Sequence, residues 1–234
     1  MRTLLRTTAL MTTFFAVPAF AENTPVVVEL YTSQGCSSCP PADEMLTELS
    51  GRADVIALAL HVDYWDYIGW VDEFANPQNT RRQQDYARAA GETTIYTPQF
   101  VIAGVDIVVG ARGMEVVDLI ALHRMEKYAV DVDLTWSGDV LTVEVEMDTS
   151  ATDGGYVVQL AQIMPPQSVD IRRGENAGKT ISYSSVVQSL EVLGQWDGVA
   201  TFALDADVSG AEQIAVIVQH GTSGPVVGAA KLFR

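Results

Sequence analysis

The sequence has few cysteines, few cations and, beyond its first twenty or so residues, no long apolar run. Cys36 and Cys39 are the only cysteines in 234 residues, which excludes a small fold held together by several disulfides. A covalent staple contributes most when it closes a long loop. This pair encloses two residues, so its spacing points to redox or metal chemistry rather than reinforcement. Lys and Arg number 14 against 30 Asp and Glu, giving a formal net charge of −16. A surface of that sign repels phosphate, which argues against nucleic acid and anionic membranes as partners. With no later stretch approaching roughly 20 apolar residues, no membrane span is expected in the mature form.

The apolar exception is the start of the chain. Arg2 and Arg6 precede a mostly apolar stretch from Ala9 to Phe20, which ends in Ala19-Phe20-Ala21. A basic head, a short apolar run interrupted by Thr12, Thr13 and Pro18, and a small-x-small site together read as an export signal cleaved after Ala21. The expected location is therefore periplasmic or secreted. Loss of the two arginines takes the charge from −16 to −18 and leaves 213 residues, long enough to predict two domains.

After the leader, Val26 to Thr32 is a β-branched, largely apolar run with the pattern of a strand buried on both faces. Gln34 and Gly35 make a turn, the cysteines come next, and Pro40-Pro41 then open a helical pattern through Met45, Leu46 and Leu49. Proline belongs in a first helical turn, which places the cysteines at the helix N-terminus. Asp54 to Val62 reads as a second buried strand, parallel to the first through a right-handed crossover. The aromatic stretch Tyr64 to Phe74 leads into a helix from Asn76-Pro77 to Gly91 that carries Arg81, Arg82 and Arg88. Gln99 to Ala103 and Asp106 to Val109 form a hairpin, and Met114 to Tyr128 a closing helix. From Val130 onward, about seven short strands separated by turns, including Ser137-Gly138-Asp139, predict an antiparallel sandwich. No internal repeat or low-complexity tract interrupts the pattern.

A thiol is a weak nucleophile until it ionises, and peptide N–H groups at a helix N-terminus stabilise the thiolate. Cys36, the earlier and by expectation the more exposed of the pair, is the natural attacker; Cys39, one turn on, can resolve the mixed disulfide. The strand-turn-Cys36-Ser37-Ser38-Cys39-helix arrangement resembles the thioredoxin-like superfamily. Thr97-Pro98 is similar to the active-site proline loop of that superfamily, which implies a cis bond and a substrate groove shaped by Thr97 and Pro98. More narrowly, Tyr31-Thr32-Ser33-Gln34-Gly35-Cys36-Ser37-Ser38-Cys39-Pro40-Pro41-Ala42-Asp43 is similar to the signature of a secreted bacterial family, domain of unknown function 1223. Arg173-Gly174-Glu175-Asn176-Ala177-Gly178 resembles a second signature of that family. The resemblance covers nearly the whole mature chain and brings no established substrate. Gly35 stands where such folds often have an aromatic residue, and Ser37-Ser38 supply no basic group.

Glu29 is the one ionisable residue of its strand, pointing with Val27 and Tyr31. Burial would raise its pKa and let it carry a proton to or from Cys39, as the buried acid of related folds does. The alternative is a solvated strand-end glutamate. His61, with Cys36 and Cys39, offers a rival copper or zinc site, with Asp63 or Asp66 as a fourth ligand; a hydrogen-bonded structural histidine is the other reading. Tyr64 to Phe74 reads as packing for the inserted helix or as a wall for a peptide. Arg81 and Arg82 read as a solvated helix face, and Arg172 to Gly178 as an exposed loop.

These observations predict an α/β domain over residues 22–129, which the resemblance implies is thioredoxin-like, with a helical insertion at about 64–92, followed by an all-β antiparallel sandwich domain over 130–234. The expected activity is exchange of disulfides with thiol- or disulfide-bearing proteins or small molecules, without a cofactor. A copper or zinc carrier, or a binding protein with an inert disulfide, are the alternatives.

Overall fold

The computed structural model describes residues 25–126, 128–147 and 154–234; the expected signal segment, residues 1–21, lies outside the described residues. The chain runs β1 (Val26–Thr32), α1 (Pro40–Ser50), β2 (Val55–His61), α2 (Pro77–Ala89), β3 (Gln99–Ile102), β4 (Asp106–Val109) and α3 (Gly113–His123). It continues through β5 (Val130–Ser137), β6 (Val140–Met147), β7 (Tyr156–Ile163), β8 (Gln167–Asp170), β9 (Thr180–Tyr183), β10 (Val187–Trp196), β11 (Phe202–Asp207), β12 (Gln213–His220) and β13 (Val226–Phe233). Among the described residues no helix is long and apolar enough to cross a membrane.

The expected fold class, an α/β thioredoxin-like domain followed by an all-β antiparallel sandwich domain, is corrected by this architecture. The described chain is mainly β, with thirteen strands in four sheets and three α-helices of 11 to 13 residues. Among the described residues, of the strand-to-strand ladders only β1 with β2 is parallel; β3 joins β1, and β4 joins β3, antiparallel. One strand-helix-strand crossover does not set the class of the whole first half. The next two strands, β3 and β4, are a hairpin, so helices do not alternate with strands along a parallel sheet.

The sheets stack as layers. The sheet β10-β7-β12-β13 is sandwiched between the other two large sheets. Ala161, Ile163, Ala215 and Ile217 face Val27, Ile56 and Leu58 of the sheet β2-β1-β3-β4. Val158, Leu160, Val216 and Val218 face Leu141, Val143 and Val145 of the sheet β11-β6-β5. A strand covered on both faces must be apolar at consecutive positions, which is why Ile214 to Val218 is an unbroken apolar run. The far face of β1 and β2, formed by Val28, Leu30, Ala57 and Ala59, packs on Ala42 and Leu46 of α1.

One excursion breaks this layering. Between β9 and β10 the chain turns at Ser185, which has φ 58°. The hairpin β8–β9 leaves the central sheet and comes round to the helical face, where Val169, Ile171 and Tyr183 join the core beneath α1. Ala59 of the edge strand β2 donates its N–H to Ser185 O at 2.8 Å, and so closes that edge.

Candidate functional site

β1 ends at Thr32, and the turn Ser33-Gln34-Gly35 carries the chain to Cys36, whose N–H donates to Ser33 O at 3.1 Å. Cys39 is the N-cap of α1, with Pro40 and Pro41 in the first turn, and its carbonyl accepts from Ala42 N and Asp43 N. Cys36 and Cys39 form a disulfide with Cα atoms 5.4 Å apart. The expected difference in exposure between them is absent, for Cys36 is 1% exposed and Cys39 0%. Ser37 and Ser38 are the exposed residues of the motif.

Two segments hold this turn, the loop after β8 and the stretch from Trp65 to Asp72. Asn176, buried in the loop after β8, donates from Nδ2 to Gln34 O at 3.0 Å and to Cys36 O at 2.9 Å. Trp70 Nε1 donates to Gln34 Oε1 at 2.8 Å, and Gln34 N to Asp72 Oδ2 at 2.8 Å. A Cβ on Gly35 would lie 3.2 Å from both Trp65 Cβ and Ile68 Cδ1. The space an aromatic residue would need before Cys36 is thus already filled. Replacing Asn176 with alanine leaves the buried Gln34 and Cys36 carbonyls without these donors. The expected cost is about 1–3 kcal/mol, read by urea unfolding, with faster alkylation of Cys36 in the reduced protein.

Below the turn lies a buried polar cluster. Asp43, on α1 one turn after Cys39, accepts from Thr32 Oγ1 at 2.8 Å. His61 Nδ1 pairs with Asp72 Oδ2 at 2.7 Å, and both side chains are fully buried. The His61 ring lies edge-on to Phe74 and Tyr183, with centroids 5.3 and 5.0 Å away. Burial pushes the Asp43 carboxyl up; the charge of His61 and the Thr32 hydrogen bond pull it down, Asp72 and Glu44 push it up again, and it comes to about 7. Sequence reasoning does not single out Asp43, which stands in the motif as an ordinary first-turn acid. Its one signal is its position four residues after Cys39, on the same helix face.

Glu29 is not brought to the cysteines. It points, as strand alternation requires, with Val27 and Tyr31, and that face meets the central sheet while α1 covers the other. Arg82 Nε and Nη2 donate to its two oxygens at 2.8 Å each, and Tyr86 and Tyr31 hydroxyls donate as well. Burial pushes the Glu29 carboxyl up, but Arg82 and the hydrogen bonds outweigh it and hold it below the usual value. Arg82 itself, expected on a solvated helix face with Arg81, is 7% exposed. Thr97-Pro98 is a cis peptide; Thr97 Oγ1 accepts from Trp65 Nε1 at 2.7 Å and so adjoins the rim through Trp65.

The rival copper or zinc ligands do not assemble. Among the described residues no group of three or more His, Cys, Asp or Glu side chains is placed to hold a metal ion. His61 is committed to Asp72, Asp63 accepts from Thr80, and Asp66 accepts from Asp72 N. The aromatic stretch divides: Tyr64, Trp65, Trp70 and Phe74 are occupied in hydrogen bonds or ring contacts, and Tyr67 is 82% exposed.

The family described as protein of unknown function (DUF1223) matches residues 27–219, and the chain belongs to it. No curated protein matches the chain. It is similar to the crystal structure of protein AGR_C_4864 from Agrobacterium tumefaciens, at 34% identity and a TM-score of 0.78, over 92% of this chain and 96% of that one. It is also similar in fold to HBP35 of Porphyromonas gingivalis, at 14% identity and a TM-score of 0.66, over 90% of this chain and 75% of that one.

Proposed function

We propose that this member of the DUF1223 family is an exported thiol-disulfide oxidoreductase, with Cys36 as nucleophile, Cys39 as resolver and Asp43, in place of Glu29, as proton carrier. The observation that carries the reading is a disulfide at a helix N-terminus with a buried carboxyl one turn along the same face. In the reduced protein the Cys36 thiolate, favoured by the helix N-terminus, attacks one sulfur of a substrate disulfide. A Cys36–substrate bond forms, and the other substrate sulfur leaves as a thiolate that takes up a proton. Cys39 then passes its proton to Asp43 and attacks the Cys36 sulfur; the protein disulfide forms and the second substrate thiolate leaves. Two electrons have moved to the substrate, and the reverse sequence oxidises a dithiol. Thr97 and Pro98 line the substrate side in this reading.

Trapping in the exported compartment tests it. Cys39→Ala cannot resolve, so it is expected to accumulate partners linked through Cys36, whereas Cys36→Ala/Cys39→Ala accumulates none. Absence of adducts from a folded Cys39→Ala protein with a free Cys36 thiol would sink the proposal and favour an inert bond.

A further inference from the structure

Buried polar atoms without a hydrogen-bond partner are costly, at about 1–3 kcal/mol each, and native proteins keep few of them. Among the described residues, Asp43 Oδ2, His61 Nε2 and Tyr183 OH are three such atoms. They belong to one place. The Tyr183 ring is 5.0 Å from that of His61, and Asp43 interacts electrostatically with both side chains. They come from three separate elements, α1, β2 and β9, so no local backbone pattern accounts for their convergence. One acceptor, one hydroxyl and one ring nitrogen are the two to four polar partners that a buried water requires.

We propose that Asp43, His61 and Tyr183 close around one buried water, through which His61, held by Asp72, sets the charge state of Asp43 in step with the cysteine pair. This rests on the exchange chemistry proposed above. His61 and Tyr183 are positioning residues that act through Asp43. The groups facing Asp43 are Thr32 from β1, His61 from β2, Tyr183 from β9, Asp72 from the loop before α2, and Cys39 and Glu44 from its own helix. His61 is the one among them whose charge favours the Asp43 carboxylate, while Asp72 and Glu44 oppose it. His61 is fixed by Asp72 on Nδ1 and turns Nε2 away from that partner. A proton released by Cys39 would thus enter a site whose affinity for it depends on the imidazole of His61.

The test is the carboxyl ¹³C titration of Asp43 in the oxidised full chain, with His61→Phe and Tyr183→Phe beside the parent, together with the pH profile of exchange with an aryl disulfide. Loss of His61 should raise the Asp43 midpoint by about one pH unit, a tenfold gain in proton affinity. Tyr183→Phe should raise it by roughly half a unit, because the water that donates to the carboxylate loses one of its partners. Should His61→Phe fail to fold, Tyr183→Phe carries the test. A merely structural role would lower the unfolding midpoint and leave the titration where it was. Unmoved midpoints in folded variants would overturn the chamber even if exchange proceeds. Moved midpoints in a protein that never exchanges would keep the chamber and remove the exchange reading.

Discussion

Arg82→Ala is expected to destabilise the fold by about 3–5 kcal/mol, the loss typical when one partner of a buried ion pair is removed. Besides its two bonds to Glu29, Arg82 donates to Gln159 Oε1 at 3.1 Å, Gln219 Oε1 at 3.0 Å, Tyr86 OH at 3.0 Å and Thr222 O at 2.6 Å. It therefore ties α2 and β1 to the central sheet. The sign of the pH dependence separates this account from simple loss of packing. In the parent, the Glu29 carboxyl is held below its usual 4.5. Its contribution is present above that value and is lost as pH falls through the lowered one. Without Arg82, burial is opposed only by the Tyr31 and Tyr86 hydroxyls and, as the largest influence, raises the carboxyl, so the contribution is lost as pH rises instead. Urea unfolding at pH 4 and pH 8 measures both slopes. Arg82→Ala/Glu29→Gln should recover part of the loss at pH 8, and no recovery would show that the charge left behind is not the cause.

Asp43→Asn should slow exchange with an aryl disulfide by about 10²-fold near neutral pH, the usual scale for removing a positioned acid-base group. Its effect on stability has the opposite sign. Because the folded carboxyl sits at about 7 against 3.8, the native state keeps a proton that the unfolded chain releases. Stability is then full below the unfolded value and falls as pH rises toward 7, by roughly 4 kcal/mol over the window. The asparagine variant lacks that slope and should be the more stable protein above pH 7 while being the poorer catalyst. Unfolding free energies from pH 4 to 8, set beside exchange rates, give both quantities. A variant that exchanges at the parent rate would return the proton-carrying role to another group.

Much of the cysteine turn is legible in the sequence because its signals are local. Apolar β-branched residues from Val26, two prolines after Cys39 and the apolar spacing of Leu46 and Leu49 place the motif between β1 and α1. Asn76 accepts from Gln78 N at the start of α2, as its place before Pro77 suggests. Other expectations fail where the decisive information is not local. Alternation correctly sets Glu29 on the face of Val27 and Tyr31. A strand buried on both sides, however, does not reveal which face the next helix will cover, so Glu29 could be placed beside the cysteines only by assumption. Arg82 sits on a helix whose other basic residues are exposed, and its burial stems from a glutamate 53 positions away. The α/β class rests on one crossover, and the antiparallel hairpin after it changes the balance.

By itself the sequence determined the cysteine pair, its place at a helix N-terminus, the acidic surface and the run of strands after Val130, because each depends on residues within a turn or two of one another. Only the tertiary structure decided what surrounds the pair. Asn176 reaches the Cys36 carbonyl across 140 positions, and His61, Asp72 and Tyr183 meet near Asp43 because the β8–β9 hairpin leaves the central sheet and closes the edge of β2. Such contacts arise where layers pack, and packing is settled by the burial of whole faces rather than by any short stretch of chain.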